Sequence, residues 1–290
     1  MRVKLVGLSF FLFVGAAICS AQDSTPPGPS INSPDYSSVN CSAFVSDNVP
    51  SDIRVISAEQ SNFKIIFSQG DHVFINRGHD KGVQVGDRFS VVRPHKDPLE
   101  VTWFKWQHKL MKEMGQAYKD TGQLKVINVQ ANVSVAEVNF SCGFMQRGDI
   151  VRPYVERPVP PFREPIAFDR FAPVNGKRVA TIVAGVDYSE MLGKNNVAFV
   201  NLGSNQNVHV GDYFRVFRYQ GKLDETAPQT KGYQYKIYGF GSAPAKYEPS
   251  DLPRQVIGEG IVLNQGPNNS TMMITSSTTP IYAGDYVELE

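Results

Sequence analysis

Gly82–Arg93 reads GVQVGDRFSVVR, and Asn207–Arg218 reads NVHVGDYFRVFR. Both fit Val-x-Val-Gly-Asp-x-Phe-x-Val-x-Arg, 125 positions apart. Glycine tolerates the positive φ that a sharp corner between strands often requires. The aspartate carboxylate is expected to hold the corner by accepting from backbone N–H groups just beyond it. After the corner the residues alternate: Phe89 and Val91 on one face with Arg88 and Ser90 on the other, and Phe214 and Val216 likewise. Period-two alternation predicts a strand with one buried face.

The phrase belongs to a longer duplication. HVFINRGHDKGVQVGDRFSVVRP (His72–Pro94) aligns with VAFVNLGSNQNVHVGDYFRVFRY (Val197–Tyr219). The match resumes at Gly122–Val151 and Gly258–Val287, with the offset grown to 136. Each copy therefore carries two Gly-Asp corners: Gly86-Asp87 and Gly148-Asp149, then Gly211-Asp212 and Gly284-Asp285. KVINVQANVSVAEVNFS and GIVLNQGPNNSTMMITSS each predict a hairpin. A calcium loop needs several oxygen ligands close together in sequence. Here each aspartate stands alone among apolar strand residues, so the four pairs are read as structural turns and no metal ligand is assigned.

MRVKLVGLSFFLFVGAAICSAQ opens the chain with Arg2 and Lys4 before an apolar run, then a small-residue cleavage site. This predicts a signal peptide over 1–21 and export to the periplasm or beyond. DSTPPGPSINSPDYSS is too poor in apolar surface to fold, so 22–40 is expected to be a flexible leader. The first β-barrel repeat is placed at 41–155. Pro158, Pro160, Pro161 and Pro165 fit neither a central strand nor a helix interior. They mark a stiff linker at 156–166, and 167–290 forms the second repeat. The expected class is all-β: two tandem small barrels or sandwiches, the first with an inserted amphipathic helix. No later stretch is apolar enough for a transmembrane span. A formal charge of +1 gives no electrostatic case for nucleic acid.

Of the three cysteines, Cys19 leaves with the signal peptide. Cys41 and Cys142 remain, an even number in an oxidising compartment, which predicts a disulfide. Closing so long a loop is worth about 4 kcal/mol. Two separate buried thiols are the alternative.

The copies differ in their middles. The first carries PLEVTWFKWQHKLMKEMGQAYKDTG, where Trp103, Trp106, Leu110, Met114 and Tyr118 recur at helical spacing. One amphipathic helix over 101–118 is predicted. It either caps its own barrel or offers an aromatic surface to a partner or glycan, and the usual burial of apolar stripes favours the cap. The second carries a longer insert with Tyr233, Tyr235, Tyr238, Phe240 and Tyr247 among Gly and Pro. It predicts a long loop whose rings grip a partner or seal the barrel mouth.

There is no Gly-x-Ser-x-Gly, His-Glu-x-x-His, phosphate loop or Cys-x-x-Cys. His72, His79, His95, His108 and His209 are scattered. No catalytic or cofactor-binding residue is assigned.

Phe-x-Asn-x-Gly, the repeated phrase, a Gly-led strand, a Ser-containing strand and a last Gly-Asp-x-Val together resemble the C-terminal domain of bacterial flagellar assembly protein T. That resemblance implies a small periplasmic β-barrel, duplicated over roughly 71–153 and 196–290. The layout, with Leu-Pro-Arg-x-Val-x-Gly at Leu252–Gly258, is also similar to secreted proteins of unassigned function from Acidobacteria-type Gram-negative bacteria. Fold analogy does not transfer function. The expectation is a non-enzymatic cell-envelope protein whose partner is another envelope protein. Peptidoglycan or another glycan is the alternative partner. A hydrolase comes last; it would need histidines and carboxylates converging in a pocket.

Overall fold

The computed structural model describes residues 34–97, 100–219 and 253–290. Residues Asn32–Glu290 cluster as one compact unit. The signal-peptide reading and the tyrosines Tyr233, Tyr235, Tyr238 and Tyr247, with Phe240, lie outside the described residues.

The chain is mostly strand. In order come α1 (Tyr36–Asn40), β1 (Phe44–Ser46), β2 (Val55–Ala58), β3 (His72–Ile75), β4 (Arg88–Pro94), α2 (Gln107–Met114), β5 (Gln116–Val129), β6 (Ser134–Ser141) and β7 (Ile150–Pro153). Then follow β8 (Val179–Gly185), β9 (Met191–Leu192), β10 (Val197–Val200), β11 (Tyr213–Arg218), β12 (Gln255–Gln265), β13 (Ser270–Ser277), β14 (Ile281–Tyr282) and β15 (Tyr286–Leu289).

The first sheet runs β2-β3-β6-β5-β4-β7, with β1 added against the start of β5. It curls until its edges meet at one residue pair, Arg54 with Ile150. The second sheet, β10-β13-β12-β11-β15-β8, closes into a six-stranded barrel. All pairings are antiparallel. Taken round from β2 and from β8, the two sheets have the same strand order. Their bulges also fall at matching places: Val91/Val92 and Val216/Phe217, Gln123/Leu124 and Glu259/Gly260, Val126/Asn128 and Val262/Asn264.

Alternation sets what each sheet buries. Phe89 and Val91 point into one core with Val55, Ile75, Leu124 and Val138. Phe214 and Val216 point into another with Ile182, Val200, Val262 and Ile274. Opposite Val91 and Val92 the partner strand β5 bulges, with Thr121 as its extra residue. Val92, next in the alternation after Val91, faces away from the first core and joins Phe44, Tyr118 and Ile150 outside the sheet.

A third cluster joins the two sheets. Val45, Phe104, Met114 and Ala117 pack against Val183, Ala184 and Phe199 on the outside of the barrel. Gln107 Nε2 donates to the Val183 carbonyl at 2.8 Å. His95 Nε2 lies 2.7 Å from the Val186 carbonyl.

Two expectations change. The insert is helical only over Gln107–Met114, not 101–118. Gly115 (φ +111) leaves the helical region, and Gln116–Tyr118 pair with β1 instead. The ladder to β1 wins because it satisfies these backbone groups while burying Ala117. The leader does not stay irregular to residue 40. Asp35 accepts from Ser38 N at 2.6 Å and caps the short helix α1. Val39 of that helix packs on Tyr213, Ile261 and Leu263 of the barrel. Within 52–70 only β2 forms a strand. Phe67 merely bridges Met145. Tyr188 occupies a left-handed turn (φ +54).

The linker carries no regular structure, and its arginines pin it to both sheets. Arg157 makes two 3.0 Å bonds to the buried Asp120 of β5. Arg163 pairs with Glu259 of β12 at 2.7 Å and with Glu290.

Candidate interaction surface

The four corners come first, because they decide whether the repeated phrase carries chemistry. Gly86, Gly148, Gly211 and Gly284 all have φ between +89 and +99. Each aspartate accepts from the N–H three residues before it, not beyond it. Asp87 takes Gln84 N at 2.9 Å, Asp149 takes Gln146 N at 3.0 Å, Asp212 takes His209 N at 2.8 Å and Asp285 takes Tyr282 N at 2.8 Å. A carboxylate reaching back caps the turn that enters the corner, which leaves the following residue free to pair in its strand.

The phrase's final arginine has a partner that sequence reading missed. Arg93 grips Asp149 with two bonds of 2.7 and 2.8 Å. Arg218 grips Asp285 with two of 2.6 Å. Both aspartates are buried. Each arginine also donates to a carbonyl, of Phe144 or Pro280. The first corner's strand thus ends on the second corner's carboxylate. Burial pushes the Asp285 carboxyl up, against the pull of Arg218. With every oxygen turned to backbone or arginine, these pairs build the barrel wall and offer nothing to a substrate.

The disulfide Cys41–Cys142 is formed, with Cα atoms 5.4 Å apart. It ties the residue after α1 to the end of β6.

The two tryptophans separate. Trp103 packs against the cluster between the sheets, and its backbone N–H donates to Gln107 Oε1 at 2.7 Å. Trp106 is 57% exposed, with Lys105 Nζ 5.1 Å from its ring centre. It borders a groove of about 260 Å³ lined by Phe104, Leu110, Thr181 and Tyr286. One wall is the insert and the other is the β8–β15 edge of the barrel. Tyr286 continues into an aromatic group with Phe217 and Tyr219, ring centres 5.1 to 5.7 Å apart.

A second cleft, about 360 Å³, lies on the other side of α2. It is lined by His95, Asp97, Glu100, His108, Met111 and Tyr188. The ring atoms of both histidines are engaged structurally. His95 Nε2 meets the Val186 carbonyl, and His108 Nε2 is 3.2 Å from the Thr102 hydroxyl. Tyr188 donates to the His95 carbonyl at 3.2 Å. Burial, with Asp97 adding charge, pushes its phenol up to about 12. Elsewhere His72 pairs with Glu59 and His209 with Asp212. Among the described residues no three His, Cys, Asp or Glu side chains are grouped to hold a metal ion.

In comparison with known proteins, no family model and no curated protein matches the chain.

Proposed function

We propose that this chain is a non-enzymatic exported cell-envelope protein that binds another envelope protein through its first insert, on a scaffold of two repeated barrels. The repeat reading rests on the common strand order, the matching bulges and the two Arg–Asp pairs at equivalent corners. Its likeness to the C-terminal domain of flagellar assembly protein T belongs to the same proposal and concerns the barrel alone. Export is supported by the Cys41–Cys142 bond, since disulfides persist in oxidising compartments. The periplasm or exterior of a Gram-negative bacterium is the proposed location.

One observation carries the binding role. Trp106 stands open to solvent beside a preformed aromatic groove, and tryptophan is among the residues most enriched at binding hot spots. The test is capture from envelope extracts by the purified mature chain, compared with Trp106→Ala and Trp103→Ala. Loss with Trp106→Ala and retention with a folded Trp103→Ala supports the reading. Equal capture by all three sinks it. An exposed indole face also suits a sugar ring, which keeps the glycan reading alive. Saturable co-sedimentation with sacculi that fails for Trp106→Ala would favour it.

A further inference from the structure

The two halves differ beside their first Gly-Asp corners. There the first half has a cavity of about 310 Å³ walled by Arg77, Lys81, Asp87, Arg88 and Tyr154. Core residues Ile53, Val83 and Phe89 give it an apolar side.

Three cations meet one carboxylate in this cavity, an excess of two positive charges. Asp87 is already engaged by the Gln84 N–H. Arg77 reaches Asp52 only at 3.6 Å. Lys81 and Arg88 have no ion pair among the described residues. Arg88 is nevertheless held in place. Its guanidinium carbon lies 3.8 Å from the Tyr154 ring centre, and Nη2 donates to Gln123 Oε1 at 3.1 Å. Gln123 is buried and fixed in turn: Oε1 accepts from the Tyr36 hydroxyl at 2.9 Å, and Nε2 donates to Asn40 Oδ1 at 3.1 Å. A guanidinium oriented before binding loses little freedom when an oxyanion arrives.

The second half shows that the fold does not need these charges. Leu202, Gln206 and Tyr213 stand 125 positions after Arg77, Lys81 and Arg88. The backbone is the same at both places. Lys81 N donates to the Gly78 carbonyl and Gln206 N to that of Gly203; Tyr154 N donates to the Arg88 carbonyl and Glu290 N to that of Tyr213. The second place is also filled from within the chain. Arg163 of the linker lies over Tyr213, its guanidinium carbon 4.0 Å from the ring centre, and pairs with Glu290. Pro160 lies 3.4 Å from where a Cβ on Gly211 would sit, whereas nothing lies within 4 Å of one on Gly86.

We propose that the cavity of the first half binds a phosphate monoester carried on a small organic group. Such an ester is close to a dianion at neutral pH, its second pKa being about 6, which matches the excess charge. The fork of Arg88 suits two of its oxygens, and the apolar side takes the organic part. The volume is at the lower end of the range for small-ligand sites, about 300–1,000 Å³. The comparison of halves rests on the repeat reading above; the charge set does not. The cavity shares no residue with the Trp106 groove, so the two sites are separable.

A soluble sugar phosphate and a phospholipid headgroup carry the same group, and two probes separate these sources. Calorimetry follows glucose 6-phosphate, with glucose as the uncharged control. Co-sedimentation follows vesicles of equal parts phosphatidylcholine and phosphatidic acid, against phosphatidylcholine alone. Lys81→Gln with Arg88→Tyr installs the second half's residues; Lys81→Gln alone changes one exposed side chain and leaves the Arg88 network whole. Lys177→Gln with Arg178→Gln removes the same charge at exposed positions elsewhere. The wild-type chain is expected to bind at least one probe saturably, more weakly as pH falls below about 6. The double variant at Lys81 and Arg88 should weaken binding by about tenfold or more, and Lys81→Gln by about fivefold, as loss of charge-assisted bonds implies. The Lys177/Arg178 variant should bind as wild type. Glucose 6-phosphate binding without vesicle binding assigns a soluble ester, and the reverse assigns a headgroup. Failure of both probes, equal binding of glucose, or the same loss in the Lys177/Arg178 variant overturns the proposal.

Discussion

The second sheet closes through three residue pairs, Tyr286 with Thr181, Val287 with Ala180 and Glu288 with Val179. The first meets itself through one, Arg54 with Ile150. The corners do not explain the difference, since both halves have the same glycine geometry and the same arginine–aspartate grip. The entering strand does. β8 is seven residues long and reaches β15 with its first three. The corresponding residues before β2, Asp52–Arg54, form no strand and reach β7 only through the Arg54–Ile150 pair and the bond from Val151 N to the Ile53 carbonyl. Closure here depends on how early the first strand starts, and the corners hold whatever wall results.

The largest effect is expected from cutting the grip. Arg93→Ala and Arg218→Ala each leave a buried carboxylate without its partner, at a cost of about 3–5 kcal/mol, read by chemical denaturation. Similar losses in both halves would support the view that corners act alike in an open and a closed sheet. The sign with pH follows from Asp285, whose folded carboxyl is raised by burial. Removing Arg218 raises it further, so the folded variant holds a proton that the unfolded chain has lost. Its stability therefore falls as pH rises from below the ordinary carboxyl value of 3.8 through the folded value. The deficit relative to wild type should be smallest in acid.

Next comes the disulfide, present in the first half only. Cys41→Ser with Cys142→Ser should cost about 2–4 kcal/mol. The loss should fall on the first sheet, with earlier hydrogen exchange in β5 and β6 than in β12 and β13. Equal loosening of both sheets would show that the docked halves unfold as one unit and would break the comparison.

The corners and core strands were legible because period-two alternation and a twice-written phrase are local signals. The grip was not. Its members lie 56 and 67 residues apart, and a single chain gives no reason to join Arg93 to Asp149. The short helix α1 was hidden by the proline-rich company of its Asp35 cap. Helical spacing from Trp103 to Tyr118 overstated α2, because the pattern counts apolar positions and is blind to β1 arriving from 70 residues earlier. That error also merged Trp103 and Trp106 into one stripe. Both precede the helix, in a turn that partly buries one ring and leaves the other out. The insert was recognisable as the part the halves do not share; which of its tryptophans faces water was not.

A smaller effect is expected at the seam between the halves. Tyr188→Phe removes one hydrogen bond to the His95 carbonyl, worth about 1 kcal/mol at neutral pH. In alkali the sign reverses. The folded phenol is pushed up to about 12 from its ordinary value of 10.0, so the unfolded chain releases its proton first. Wild-type stability should fall as pH climbs from 10.0 towards 12, and Tyr188→Phe should lack that share of the slope. An unchanged slope would mean that the seam opens before Tyr188 titrates.

The smallest effect is spectroscopic and needs no loss of stability. Trp103 and Trp106 are the only tryptophans, so indole emission reports on the insert alone. The native spectrum should be a sum of two environments. Trp106→Phe should remove the red-shifted, readily quenched part and leave a blue emission that acrylamide barely reaches. Trp103→Phe should do the converse. The two difference spectra then measure how firmly the insert is held against the barrel. Trp103 stays shielded only while Phe104 and Met114 remain seated on Val183 and Phe199. If both single variants quench alike, the insert leaves the barrel in solution. The face on β8 and β10 would then be as open as the face on β2 and β3.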